Sequence, residues 1–508
     1  MATQTQDSET IPMKSRIVQK FYEPLVLLKA LNLEMQDKAN YVDPDELDNR
    51  RDMKHTFQAF VYKLAHACDS VKGDGGATIT SVMVLNATAS DSVEYWFASN
   101  QRTTEELQIT ALFIGRILNR ASRATLPQDE SRLRRDLLDL VLGFNRQRIA
   151  QYLAAFRVEG EKCLKMCSTQ DNEEDNTVST HLRKALNSIN FAWDESTTEA
   201  EWTDLRKCNM AIRSLTALKA SDAGECIAQR ARHIRESGLR DSSVSCWPEM
   251  RHMMNRLLAY AQDVEFFLVA RKNWPQLFTN SRILFLPSSP PIQRPGRRKS
   301  MTAEGIVGRM TRKEQEMAAL RGFVRELQLM NLDQRIREEY GKKTFAPIVH
   351  SEVLLLNKLE KSGGTSPERF FNGWVYIGSS KPLCRLCQYF FEEHRSGVEH
   401  RSSDENLYIS WRVPDVRVSE GELGEESRQI MVDRMLRRIR KDAINLIRKT
   451  VHPTFRDHDS LTSSVRLTLD GRWGTISDAS DVSDVASVMG SLALGDVEDD
   501  EGGGVALA

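Results

Sequence analysis

The sequence, 508 residues long, has no uninterrupted apolar stretch of about 18 residues, the length that a membrane-spanning helix needs, so no membrane crossing is expected. Its opening, Met1 to Thr10, lacks the basic start and apolar run of a secretory signal, which points to an intracellular protein, cytoplasmic or nuclear. Cysteine is scarce. Eight in so long a chain cannot build a disulfide framework, and in a reducing compartment they serve as thiols, metal ligands or core residues. Excess charge of either sign is missing too: 70 Lys and Arg stand against 71 Asp and Glu. A net charge of -1 gives no global attraction to nucleic acid or acidic lipid, so such a contact would need a local basic patch. What remains, 40% hydrophobic and 28% charged residues, is ordinary globular usage, and the length allows two or three domains.

From Ile11 to about Ser70 apolar positions such as Phe57, Phe60, Val61 and Leu64 recur at helical spacing, and residues 11–76 read as N-terminal helices. After Gly73-Asp74-Gly75-Gly76, two β-rich runs, Thr78 to Leu85 and Val93 to Ala98, flank the polar Asn86 to Asp91 and make a β-hairpin. Thr104 to about Leu277 is an all-helical block, with stripes such as Leu133, Leu137, Leu138, Val141 and Leu142. The acidic Asp171 to Asp175 within it reads as a solvated loop, because like charges cannot be buried unpaired. Proline, serine and charge between Ser288 and Ser300 predict an exposed linker near 287–310, and a long charged helix follows from Thr311 to Tyr340.

The last block alternates: helix Val349 to Lys361, strand Trp374 to Gly378, helix Leu383 to His394, strand Leu407 to Trp411, helix Glu426 to Thr450. Such alternation predicts an α/β sheet with helices packed on it. The apolar stripe Val432, Leu436, Ile439, Ala443 and Leu446 gives the final helix a core to face. Residues 1–10 and the acidic tail 452–508, ending in Glu498-Asp499-Asp500-Glu501 and glycines, are expected to be mostly disordered.

Chemistry concentrates in this block. One imidazole and two thiolates can hold Zn²⁺ and leave a fourth position for water, acidified to a pKa of about 7. His350, Cys384 and Cys387 offer those ligands. Glu352, two residues after His350, would point to another side of a helix, which suits a proton shuttle better than a co-ligand. Cys384-Arg385-Leu386-Cys387 at a helix start would favour thiolate over thiol.

His-x-Glu followed by proline and Cys-x-x-Cys across one strand resembles the signature of the zinc-dependent nucleotide and nucleic-acid deaminases. The chain is similar to the cytidine deaminase-like superfamily. Pro347-Ile348-Val349-His350-Ser351-Glu352 and Ile377-Gly378-Ser379-Ser380-Lys381-Pro382-Leu383-Cys384-Arg385-Leu386-Cys387 most resemble its large fungal family, grouped with bacterial toxin-type deaminases. Members carry a hairpin before the His-x-Glu helix. The resemblance therefore implies an α/β, three-layer deaminase-like domain that is split: 77–100 as its first hairpin, 101–345 as a helical insertion, 346–451 as the remainder. It also implies Zn²⁺ on His350, Cys384 and Cys387, Glu352 as catalytic acid and base, and Asn100 as the substrate-binding asparagine after the second strand. Leu383, between Pro382 and Cys384, departs from the pattern and bears on the substrate loop rather than the metal.

The reaction so implied is hydrolytic deamination of a nucleobase, cytosine by default and adenine second, in a nucleotide, RNA or single-stranded DNA. The rival is a non-catalytic interaction or scaffold protein that retains the zinc-binding fold, with protein partners on the helical insertion. Glu352 argues against it, since a structural zinc site has no use for a proton shuttle. Tyr376, Tyr389, Phe390 and Trp411 read as core, Cys163 and Cys167 as buried thiols, His394 as an end-of-helix residue. The basic Arg434, Arg437, Arg438, Arg440 and Lys441 form either a nucleic-acid surface or a solvated face, the latter being preferred.

Overall fold

The two β-rich runs after Gly76 form the centre of a five-stranded sheet. The structure is a computed structural model that describes residues 9–35, 52–71, 76–87, 92–123, 130–168, 173–191, 202–237, 245–296, 298 and 301–451. Its strands are β1 (Thr10–Ile11), β2 (Thr80–Asn86), β3 (Val93–Ser99), β4 (Ser281–Leu286), β5 (Tyr376–Ser379), β6 (Glu399–His400) and β7 (Val416–Arg417). The sheet runs β4-β3-β2-β5-β6, and β1 pairs separately with β7. β2 and β3 are antiparallel from Thr80↔Ser99 to Asn86↔Val93, and β2 meets β5 antiparallel through Ser81↔Ser379 and Val82↔Gly378. β4 joins β3, and β6 joins β5, in parallel.

The helices are α1 (Ser15–Met35), α2 (Met53–Cys68), α3 (Thr104–Ser122), α4 (Glu130–Phe144), α5 (Arg146–Cys167), α6 (Glu173–Ser188), α7 (Trp202–Lys219), α8 (Asp222–Ser237), α9 (Cys246–Asn273), α10 (Ala303–Met310), α11 (Glu314–Leu327), α12 (Leu332–Gly341), α13 (Ser351–Lys361), α14 (Arg385–His394) and α15 (Gly421–Val451). Strand side chains alternate between faces, and here the alternation separates two cores. Val82, Val84, Tyr95 and Phe97 enter one core with α2 and helices of the α3–α9 block. Met83, Leu85 and Ala98 enter the other, with α1 and residues of α10–α15. The chain is thus a mixed α/β protein, mostly helical, with helices on both faces of a small mixed sheet. No described helix is long and apolar enough to cross a membrane.

α2 lies against β5 so closely that a Cβ on Gly378 would sit 2.8 Å from the Tyr62 backbone nitrogen and 3.0 Å from its Cα. Glycine is required there for contact, not for conformational freedom.

Several expectations are corrected. Leu407 to Trp411 is not a strand: Leu407, Ile409 and Trp411 do point inward, but the segment finds a partner only in the single bridge Ile348↔Trp411. The linker near 287–310 is exposed at 290–294, yet Ala303–Met310 is a helix that buries Ala303, Ile306, Val307 and Met310. The long helix Thr311 to Tyr340 is broken at Asn331, whose left-handed backbone (φ 57°, ψ 35°) ends one helix and starts the next. Glu173 to Asp175 is not a solvated loop but the first turn of α6, where a helix dipole favours acidic residues. Asp175 is buried there because Arg230 pairs with it at 2.6 Å. Thr10, expected in a disordered start, pairs with Arg417. Residues 1–8 and the acidic tail 452–508 lie outside the described residues. β4, a half-buried edge strand, went unread, although Ile283-Leu284-Phe285-Leu286 between Asn280 and Pro287 is a short apolar run bounded by turn residues.

The Gly378→Ala variant, which forces β5 off the α2 backbone, should lose about 1–3 kcal/mol of stability. A lower denaturant midpoint at unchanged slope would show this, whereas an unchanged midpoint would mean that α2 yields freely.

Candidate metal centre

Two helix starts build the site. His350 is the extended N-cap residue of α13 (φ -70°, ψ 152°) and makes no side-chain cap bond. The buried first N–H of the helix, which has no partner within it, is taken instead by Asn100, just past β3, whose Oδ1 accepts from Ser351 N at 2.9 Å. Cys384 is the N-cap residue of α14, and its sulfur accepts from the Cys387 N–H at 3.4 Å. Leu383, between Pro382 and Cys384, ties this turn down. Its N–H donates to the Ser402 carbonyl at 3.1 Å, and its carbonyl accepts from Asp404 N at 3.0 Å.

These two turns converge. His350 Nδ1 lies 3.6 Å from Cys384 Sγ and 3.3 Å from Cys387 Sγ, and the three ligand atoms all fall within 4.8 Å of one another. Ligands about 2.0–2.1 Å (nitrogen) and 2.3 Å (sulfur) from one tetrahedral ion are about 3.5 Å apart, so the donor set has the spacing of a metal site. It is the one such group of three or more His, Cys, Asp or Glu among the described residues. His394 lies outside it, with its ring against Phe390.

The electrostatics suit thiolate ligands. Burial raises the Cys384 thiol, but its hydrogen bond with Cys387 and the charge of His350 outweigh this and bring it down to about 6. Cys387 is pushed up, by burial first and by the Cys384 hydrogen bond next. Burial opposes charge on His350, yet Cys384 and Glu352 raise its pKa above the usual value. The Trp411 indole N–H donates to Cys387 Sγ at 3.2 Å, and Trp411 is fully buried.

Glu352 is 4% exposed and sits in the first turn of α13, where the dipole favours a carboxylate. Its Oε2 accepts from Ser351 Oγ at 3.1 Å, and Ser351 Oγ is 2.8 Å from Ser81 Oγ on β2. Its charge and hydrogen bonding also help to raise Cys387, so the carboxylate faces the cluster. The expectation that His350 and Glu352 occupy different sides of a helix is replaced: His350 precedes the helix, and its extended backbone lets both side chains address one point. A buried carboxylate beside a three-ligand set is an arrangement able to move protons on a metal-bound water.

The structure therefore brings His350, Cys384, Cys387 and Glu352 together and puts Asn100 against the helix start that carries two of them. Ser81, Ser351 and Trp411 were missed as site residues. Only Trp411 left a signal, since a buried indole N–H needs an acceptor and a cysteine sulfur is one.

Residues 349–415 match the family described as OTT_1508_deam-like deaminase, a stretch that includes all three ligand candidates and Glu352. No curated protein and no solved structure matches the chain.

Trp411→Phe keeps the ring and removes the N–H. It should weaken divalent-metal affinity by about 10–100-fold, the usual effect of losing a hydrogen bond to a ligand, in competition against a chromophoric chelator. Equal affinities would reduce Trp411 to packing alone.

Proposed function

We propose that the chain is a zinc-dependent hydrolytic deaminase of a nucleobase, cytosine first and adenine second, carried on a nucleotide or nucleic acid. The observation that carries this is the convergence of one imidazole nitrogen and two sulfurs, all within 4.8 Å of one another, with Glu352 facing them. Two thiolates and an imidazole are a donor set that suits Zn²⁺, and three protein ligands keep one position for water. The deaminase match over 349–415 supports the reading. So does the pairing of β2 with β5, which fits a cytidine deaminase-like three-layer domain split between 77–100 and 346–451, with 101–345 inserted.

When bound, zinc lowers the pKa of its water to about 7. The protein does the rest. Glu352 would carry the two protons of the attacking water in turn, the first to the ring nitrogen and the second to the amine, which leaves as ammonia when the C–N bond breaks, one carboxylate serving as base and then acid each time. Ser81 and Ser351, hydrogen-bonded in series to Glu352, hold its Oε2 in place. Trp411 holds the Cys387 sulfur. Asn100 is the substrate-binding residue: Ser351 N occupies its Oδ1, and its Nδ2, which donates to the Gly76 carbonyl at 3.1 Å, is the end for which a substrate hydroxyl would compete.

Zinc content and ammonia release from a panel of cytosine and adenine nucleosides, nucleotides and single strands test this with wild type and Glu352→Ala. Wild type should hold one zinc and release ammonia, and the variant should keep its zinc and slow by about 10²–10⁴-fold, the range of general acid–base catalysis. Zinc without turnover on any member of the panel would overturn the enzymatic reading.

A further inference from the structure

Some of the basic residues of α15 are spent on neighbouring segments and some are not. Arg434 donates to the Glu393 carbonyl at 3.0 Å, and Arg438 pairs with Glu392 and, at 2.5 Å, with Glu393. These charges are consumed in holding α15 on α14. Arg437, Arg440 and Lys441 make no hydrogen bond or ion pair among the described residues, and the Arg440 Nε is buried without a partner. With Arg448, Met310 and Ile444 they line an open groove of about 460 Å³ between α15 and the α10–α11 pair. Glu316, at its edge, is already engaged by Arg448 at 3.3 Å and by Thr311 Oγ1 at 2.8 Å, so Arg437 and Lys441 stay uncompensated, while Asp433 offsets part of the Arg440 charge.

Cations along one helix face make a row, not a single-phosphate pocket: from Arg437 to Arg448 the helix rises about 16 Å at roughly 1.5 Å per residue. The row also has a direction. Arg434 and Arg438 meet Glu393 while Asp442 bonds Tyr389, so α15 runs antiparallel to α14. The Lys441–Arg448 end therefore lies toward the end of α14 that carries Cys384 and Cys387. Met310 and Ile444 add apolar surface that can take a sugar or a base face.

We infer that this groove binds the phosphate backbone of a single-stranded nucleic acid, so that the base entering the metal centre is carried on a polymer. The inference rests on the deaminase reading for its substrate, but its test does not.

Anisotropy of fluorescein-labelled mixed-sequence single strands of RNA and of DNA, titrated with the full chain over a range of salt, reads the groove directly. The Arg437→Gln/Lys441→Gln variant should bind about 10-fold more weakly than wild type. Its slope of log affinity against log salt should be shallower by about 1.4, at roughly 0.7 per lost phosphate contact on single strands. A charge-matched control, Arg132→Gln/Lys184→Gln on exposed positions of α4 and α6, should bind as wild type does. Unchanged binding in the groove variant, or equal weakening in the control, overturns the inference. Strand binding that needs the groove but yields no ammonia would sink the deaminase reading and leave the groove standing. Turnover of free nucleosides with no groove-dependent strand binding would do the reverse.

Discussion

Two pairs of residues, Ser81↔Ser379 and Val82↔Gly378, join parts of the chain that lie some 300 positions apart, and the rest of the architecture depends on that joint. Through it β2 becomes an interior strand and the hairpin, already flanked by β4, gains β5 and β6 on its other side. Its alternating side chains then have a core on each face. The same joint delivers Ser81 to Ser351 and Asn100 to the start of α13, so that the backbone and carboxylate of the His-x-Glu turn are held by the hairpin. Gly378 permits it because no side chain fits between β5 and the backbone of α2.

The electrostatic counterpart is the meeting of two helix starts. Each brings the positive end of a helix dipole, and together they favour the anionic groups gathered there, the Cys384 thiolate and the Glu352 carboxylate. The helical block is braced to the same region. Asp69, past the end of α2, is ion-paired at 2.5 Å with Arg148 of α5, accepts from Thr78 Oγ1 at 2.7 Å, and is approached by Ser380 Oγ at 3.5 Å. Burial would raise its carboxyl, but Arg148 and Lys381 hold it below the ordinary range. A residue of the large helical segment thus reaches, through one buried carboxylate, the loop that leads into Cys384.

Legibility followed the range of the interaction. The helices of the last block, the hairpin and the Cys-x-x-Cys turn were visible because local spacing specifies them; α13, α14 and α15 begin or end within a few residues of their expected bounds. Leu407 to Trp411 was misread because a period of two reports which side chains point inward and is silent on whether a neighbouring strand exists. Glu173–Asp175 was misread because the charge that neutralises it, Arg230, lies in another helix. The supposed linker hid α10, whose apolar face meets a core assembled from segments remote in sequence.

The sequence by itself determined the donor types, His350, Cys384 and Cys387 with Glu352 beside them, since chemistry of this kind is carried by residue identity and short spacing. Only the tertiary structure decided that His350 stands outside its helix, that Trp411 donates to Cys387, that Ser81 and Ser351 brace Glu352, and that α15 spends Arg434 and Arg438 on α14 and leaves Arg437 and Arg440 along a groove. Those are contacts between distant segments. Their partners are chosen by how the two cores close on the sheet, which no local pattern encodes.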